Sequence, residues 1–371
     1  MLKELIDKKL ETADVIVNGE RPWDLQVKDP QFYKAVALHG SMGLGNSYVN
    51  GWIEANQLDL FFEHLLNSPL SEQKNALSFL RQVFTAAFIN QQTKRRSRVV
   101  GELHYNLGND LFKLMLDRRM VYSCGYWKKA KTLDEAQEDK LDLICQKLYL
   151  KPGMKVLDIG CGWGSFAKFA AERYQVEVVG VSISQEQVEL GKQMCQGLPV
   201  DIRFQDYRDV EGIFDRVVSI GAFEHIGEKN YHTFMSVAAK CLKDDGLFLL
   251  HTIGRNRPTT VISPTDPWFA KNIFPNSQLP AASQIAKASE GIFIMEDWHN
   301  FGPDYDKTLM AWFHNFDNHW DELKDNYSES FYRMWKYYLL GSAAGFRTRG
   351  MQLWQTVFSK RGVPGGYQSV R

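Results

Sequence analysis

The sequence predicts an α/β fold: a mostly parallel sheet covered by helices on both faces, preceded by a smaller, mainly helical N-terminal part. Three observations carry this. From about residue 155 onward, strand-like apolar runs alternate with helix-like segments. The first of those runs passes through a glycine-rich turn straight into a helix. The first 70 or so residues have a different texture, short apolar pieces broken by turn signals. Strand alternating with helix is the pattern of parallel sheets, whose ligands gather at the carboxyl ends of the strands.

In chain order, "MLKELIDKKLETADV" is charged throughout and does not read as a signal peptide. "VNGERPW" and "LHGSMGLGNSYVNGW" follow, with Gly40, Gly43, Gly45 and Gly51 read as turn punctuation. "LDLFFEHLLN" (58–67) and "NALSFLRQVFTAAFINQQ" (75–92) have the apolar spacing of amphipathic helices. From Gln73 to Gly101 there are six basic residues, Lys74, Arg81, Lys94, Arg95, Arg96 and Arg98, and no acidic one. The sheet strands are "KVLDIG", "VEVVGVSI", "VDIRFQD", "FDRVVSIG" and "GLFLLHTIG", with "SQEQVELGKQMC" and "YHTFMSVAAKCL" among the intervening helices. A polar, Pro-rich stretch runs from 255 to about 280. Two aromatic-rich helices, "YDKTLMAWFHNFDNHW" and "SESFYRMWKYYLLGSAAGF", come next, and a strand, "MQLWQTVFSK", closes the fold.

A chain of 371 residues is long for one core and suggests two domains. Its 44% hydrophobic and 24% charged residues fit a soluble globular protein. Lys plus Arg equals Asp plus Glu at 44 each, so no global field selects nucleic acid. No apolar run reaches ~18 residues, so no segment is expected to span a membrane. The five cysteines, at 124, 145, 161, 195 and 241, are odd in number and lack metal spacing such as C-x-x-C. They read as reduced thiols of a cytosolic protein, with no metal site expected.

The turn "VLDIGCGWGSFAKFA" (156–170) holds Gly160, Gly162 and Gly164, which let the backbone approach a ligand closely. It lacks the Lys-Ser/Thr pair of a triphosphate-binding loop. Asp158 stands two residues before the first glycine, a carboxylate at a strand end where an amino-acid ammonium could sit. The second strand ends in "VVGVSISQEQ", where Ser182 and Gln187 are the polar groups available to ribose hydroxyls. The third ends in "FQDYRD", where Asp206 can accept from an adenine amine and Tyr207 can stack on the ring. The competing readings are a ligand-free turn, a dinucleotide site and, for Asp206, a simple turn cap.

The glycine loop with Asp158 resembles motif I of class I S-adenosylmethionine-dependent methyltransferases. A wider set of motifs is similar to the bacterial cyclopropane-fatty-acyl-phospholipid synthases. These are "HYNLGNDLF", "MVYSCGYW", "VLDIGCGWG", "FEHIG", "FLLHTIG", "MEDWHNFGPDYDKTLMAW" and "QLWQTVFSK". The resemblance covers nearly the whole chain. "GSMGLGNSYVNGW" resembles the phospholipid enzymes rather than the mycolate ones. It implies a Rossmann-like class I methyltransferase domain with a mostly parallel seven-stranded sheet. It also implies boundaries: a lipid-engaging domain at 1–85, a basic linker at 86–103 and the catalytic domain at 104–371.

The family reaction transfers the methyl group of S-adenosylmethionine to a cis double bond of a phospholipid acyl chain, then removes a proton and closes a cyclopropane ring. Such chemistry needs an alkene held in line with the donor, water excluded from a carbocation, and a base. Electron-rich rings suit the second demand; Tyr126, Trp127, Phe223, Tyr305, Trp312 and Phe316 are candidates, with core packing as the competing reading of each. The resemblance implies a bound bicarbonate as base, held by Cys124, Glu224, His251, the Ile253 backbone and Tyr305. It places Tyr122 and Ser123 on the cofactor. His225 falls outside this set and reads as a neighbour of the site. Some members carry a Cys in the late aromatic helix; Ser342 stands there in this chain, so no thiol is available.

With no spanning segment, the expected enzyme is cytoplasmic and peripherally associated with the inner face of the bacterial membrane. The +6 run at 73–101 is the candidate contact with anionic lipid, or else a solvated linker. The resemblance implies a homodimer. A methyltransferase that stops at a branched or methylene fatty acid is the near alternative, and a membrane lipid-binding protein without activity the distant one. A nucleic-acid enzyme is disfavoured by zero net charge and the lack of a "PP" motif after the fourth strand.

Overall fold

The computed structural model describes residues 2–72, 108–258, 266–275 and 277–371. The helix read at 75–92, the basic run at 73–101 and the linker at 86–103 lie outside the described residues. The chain divides into two compact units. A helical unit comprises Met1–Ile89, Thr260–Pro275 and Tyr305–Met351; a sheet unit comprises Asn90–Thr259, Asn276–Asp304 and Gln352–Arg371.

The sheet unit is built on seven strands: β1 Lys155–Ile159, β2 Glu177–Ser182, β3 Val200–Phe204, β4 Phe214–Ile220, β5 Leu242–Arg255, β6 Ile294–Asn300 and β7 Met351–Ser359. Their order is β3-β2-β1-β4-β5-β7-β6. The pairs β1–β2, β1–β4, β2–β3 and β4–β5 are parallel, and β6–β7 is antiparallel. This is the mostly parallel seven-stranded sheet that the resemblance implied.

Side-chain alternation decides which face each strand residue serves. Val156, Val178, Val218, Leu247, Leu249 and Val357 enter one apolar cluster, with Ile144 of helix Leu133–Lys147 and Phe166 of helix Ser165–Tyr174. Leu157, Val217, Phe248, Leu250 and Phe358 enter the other, with Phe234 of helix Tyr231–Cys241 and Ile285 of helix Ala282–Ser289. Both faces are therefore covered, which explains why the strands read as near-continuous apolar runs. None of the five cysteines is in a disulfide, and all five are buried.

Sequence reasoning did not find β6. Its residues "IMEDWHN" are polar at most positions, and it lies at the sheet edge beside β7. An edge strand needs no continuous apolar pattern.

The helical unit corrects a second expectation. Gly43 and Gly45 are not turn residues; they lie inside helix Ser41–Val49 and are buried. A Cβ on Gly43 would sit 2.1 Å from the Ala35 carbonyl oxygen, and one on Gly45 would sit 2.4 Å from the Trp268 ring. The glycines admit a neighbouring helix backbone and an indole. Tyr337 of helix Glu329–Arg347 packs on Tyr48, Phe62 and Trp268, which makes the core of this unit aromatic. Arg333 ties the same helix to Glu54 at 2.6 Å and lies over the Tyr48 ring. Gly45→Ala is expected to cost about 1–3 kcal/mol, because the indole has no room to retreat without disturbing this core. A lower urea midpoint would show it; an unchanged midpoint would mean that Trp268 moves freely.

Candidate active site

The glycine loop joins β1 to helix Ser165–Tyr174, and its three glycines have positive φ, +84° at Gly160, +55° at Gly162 and +78° at Gly164. The Gly160 and Cys161 amides donate to the Val181 carbonyl of β2. Gly160 also brings the loop against Ala222, whose Cβ would lie 2.4 Å from a Cβ at 160. Ala222 directly precedes the short turn Phe223–His225 that follows β4. The two loops that carry the glycines and Glu224 therefore touch.

Glu224 is buried on that turn. Its Oε1 accepts the Ile253 N–H at 2.6 Å, and its Oε2 has no partner among the described residues. Burial pushes its acid up to about 7, against the pull of the Ile253 N–H. His251, also buried, stands opposite Ile220 in the β4–β5 register, level with the end of β4. The Gly221 N–H donates to its carbonyl. Its Nδ1 lies 3.2 Å from Gln355 Nε2, and its Nε2 has no partner among the described residues. Burial, with the charges of Lys140 and Lys147, holds His251 well below the ordinary histidine range, so the ring is neutral. With the Gln355 amide as donor, Nδ1 accepts and Nε2 carries the proton. An unmet acid oxygen and an unmet N–H are a matched acceptor and donor for a small oxyacid anion.

Asp158 lies on β1 on the same face as Val156, as His251 lies on β5 on the same face as Leu249. It is buried, its Oδ1 is unpartnered among the described residues, and burial lifts its acid to about 7. An arriving ammonium would satisfy it. Ser182 at the end of β2 donates to Gln187 at 3.0 Å, and Gly162 lies beside Gln187 Nε2. Asp206, after β3, is clamped by Arg208 through Nε at 2.7 Å and Nη2 at 2.6 Å. The Tyr207 ring packs on Phe234 at 5.2 Å with its hydroxyl buried. Tyr122 sets its ring edge-on to Phe112, and Ser123 and Cys124 are buried beside it.

Tyr305 belongs to the helical unit, where its ring stacks on Phe346 at 4.5 Å and meets Trp312 edge-on. Among the aromatic candidates, Phe223, Trp312 and Phe316 are wholly buried, as core residues are. Tyr126 packs edge-on against His299 and Phe301, and the Trp127 N–H donates to Asp304. His225 is half-buried, and burial lowers its titration to about 4.

The model of the mycolic acid cyclopropane synthetase family matches residues 91–356. The cyclopropane-fatty-acyl-phospholipid synthase of Escherichia coli strain K12 is 51% identical over 99% of this chain and 95% of its own. The chain belongs to the cyclopropane-fatty-acyl-phospholipid synthase family. Among solved structures, the cyclopropane synthase MmaA2 of Mycobacterium tuberculosis aligns with a TM-score of 0.66 at 33% identity, covering 71% of this chain and 98% of that one. A mycolic acid cyclopropane synthase complexed with SAH and CTAB gives the same TM-score, identity and coverage. The chain is therefore an enzyme of the class I methyltransferase fold.

Two residues of the sheet unit escaped sequence reasoning. Gln355 lies in a strand buried along almost its full length, "MQLWQTVFS", where a wholly buried amide is out of place. Lys140 lies on the buried face of helix Leu133–Lys147 with Ala136, Gln137, Ile144 and Lys147. A lysine at an apolar-face position was the available signal.

The raised acid of Glu224 has a stability consequence with a definite sign. Below about pH 4.5, the ordinary glutamate value, the group is protonated folded and unfolded alike. As pH rises through about 7, the folded protein must ionise a buried carboxyl that the unfolded chain ionised earlier, so stability is lost. Glu224→Gln removes that cost. Urea unfolding of the ligand-free proteins is expected to show the variant gaining on wild type by up to about 3 kcal/mol between pH 5 and 8. A pH-independent gap would contradict the burial argument.

Proposed function

We propose that this family member transfers a methylene from S-adenosylmethionine to the cis double bond of a phospholipid acyl chain, with bicarbonate bound beside Glu224 and His251. The observation that carries this reading is two buried atoms unmet among the described residues: Glu224 Oε2, on the turn that touches the glycine loop, and His251 Nε2, on the strand whose Ile253 N–H donates to Glu224. S-adenosylmethionine and bicarbonate, when bound, supply the electrophilic methyl and the base.

The chain's own residues position and desolvate. Asp158 takes the donor's ammonium, Ser182 and Gln187 its ribose, and Asp206 with Tyr207 its adenine; Tyr122 and Ser123 close on the same ligand. Gly160 and Gly162 keep the loop backbone clear of it. His251 donates through Nε2, Cys124 contributes from the segment that precedes helix Leu133–Lys147, and the Ile253 backbone contributes from β5. Glu224 accepts the anion's hydroxyl and orients it; burial lifts its acid to about 7, which keeps the site poised near neutral pH.

No helix among the described residues is long and apolar enough to cross a membrane. In this reading the protein meets anionic lipid through the basic run at 73–101, acts from the membrane surface, and works as a homodimer.

The test is direct. Purified protein is incubated with S-adenosylmethionine, bicarbonate and vesicles of unsaturated phospholipid, and the acyl chains are weighed. A gain of one CH2 with loss of the alkene signal supports the reading. A branched or methylene product would mean that ring closure fails. No gain, with S-adenosylmethionine bound, would overturn the lipid assignment.

A further inference from the structure

We propose that Lys140 is a positioning residue of this site, holding Ser123 by its ammonium and supplying the buried positive charge against which Asp158 and the bound anion are set. The inference rests on the reading of function above and assigns a role to a residue outside the donor sets already named.

Helix Leu133–Lys147 begins with a capping box, in which Thr132 and Glu135 exchange side-chain and backbone hydrogen bonds, so its register is firmly set. That register turns Lys140 inward, with none of its surface exposed. The ammonium donates to Ser123 Oγ at 2.8 Å. Among the described residues no carboxylate forms an ion pair with it, and Ser123 is its sole hydrogen-bond acceptor. Gln137, one turn earlier, donates to the Ser123 carbonyl at 2.7 Å, so this helix grips the residue at both its hydroxyl and its backbone. Ser123 lies between Tyr122 and Cys124, the segment assigned to cofactor and anion.

A buried, unpaired ammonium is costly, and an apolar residue of the same length would stabilise the helix face better. Its retention makes sense if the charge is used. Besides Asp117, on the turn before the Tyr122–Cys124 segment, the groups it acts on are site groups: Cys124 on the segment itself, Asp158 on β1 and His251 on β5. Asp117 is engaged elsewhere, accepting the Val121 and Arg119 N–H groups. Lys140 draws the proton off Asp158 and keeps His251 neutral. The first effect favours ligand binding, since Asp158 must be ionised to receive an ammonium.

The variants are Lys140→Met, which removes donor and charge, and Lys140→Gln, which keeps a donor for Ser123 but removes the charge. S-adenosylhomocysteine binding is measured by calorimetry across pH, with unfolding followed in parallel. Without the charge, the proton on Asp158 is opposed less, so affinity is lost at a higher pH as pH falls. The acid limb of binding is expected to move up by about one pH unit in both variants. Dissociation constants at neutral pH should rise ~10-fold in Lys140→Gln, because a one-unit shift is worth a factor of ten, and further in Lys140→Met, which also loses the donor to Ser123. An acid limb that stays in place in Lys140→Gln would overturn the charge role, whether or not Lys140→Met folds. Equal neutral-pH affinity in wild type and both variants would overturn the positioning role. A wild-type protein that binds no S-adenosylhomocysteine would overturn the functional reading as well.

Discussion

Glu224→Gln will lower turnover by about 10²–10⁴-fold, the range that positioned acid–base groups contribute, while leaving S-adenosylhomocysteine affinity close to wild type. The two halves of the result have separate physical origins. Glutamine keeps an oxygen where Oε1 accepts the Ile253 N–H, so the Phe223–His225 turn and the end of β5 stay joined. At Oε2 it places an amide donor where the buried acid offered an acceptor, and it cannot ionise. The matched pair with His251 Nε2 becomes two donors, and an anion's hydroxyl loses the group that orients it. Asp158 and the glycine loop are unaltered, so cofactor affinity survives. Single-turnover measurement of acyl mass at saturating S-adenosylmethionine reads the first half and calorimetry the second. A loss below about tenfold would remove Glu224 from the chemistry.

Gly160→Ala is expected to damage both cofactor binding and turnover. At φ +84° an added Cβ is strained in its own backbone. It would also stand 2.4 Å from the Ala222 Cβ, and Ala222 is the residue from which the Glu224 turn departs. Either the glycine loop or that turn must move. Strain of this kind costs about 1–3 kcal/mol, and affinity for S-adenosylhomocysteine should fall at least tenfold with a parallel loss of turnover. Gly162→Ala is the internal comparison. Its φ of +55° is one that other residues adopt at modest cost, and among the described residues its Cβ would meet only Gln187 Nε2 at 3.9 Å. It should be the milder of the two. Equal losses at 160 and 162 would mean that general loop strain, not the approach of Ala222, is what matters.

Much of this site was legible because its chemistry sits where a parallel sheet puts it. Asp158 was readable from its strand end and the glycine loop from its spacing, whereas Glu224 and His251 came from the family resemblance. Lys140 and Gln355 carry a local signal, a polar residue on an apolar face, but that signal does not say what the side chain serves. Their meaning comes from strands that are distant in sequence: alternation sends positions 158, 251 and 355 to the face that helix Leu133–Lys147 covers. Gly43 and Gly45 misled for a related reason. Glycine signals a turn when only the chain itself is considered, and close packing when a Trp268 from more than 200 residues away arrives against it.

By itself, then, the sequence determined the alternation of strand and helix, the glycine loop, and the family, since each is written in local spacing or in contiguous motifs. The tertiary structure decided the strand order, the polar edge strand β6, and the union of helix Glu329–Arg347 with the first N-terminal helices in one unit. It also decided which atoms remain unmet. Hydrogen-bond satisfaction is a property of neighbours brought together by folding, and Glu224 Oε2, His251 Nε2 and Asp158 Oδ1 acquire their significance from having no partner among the described residues that fold around them.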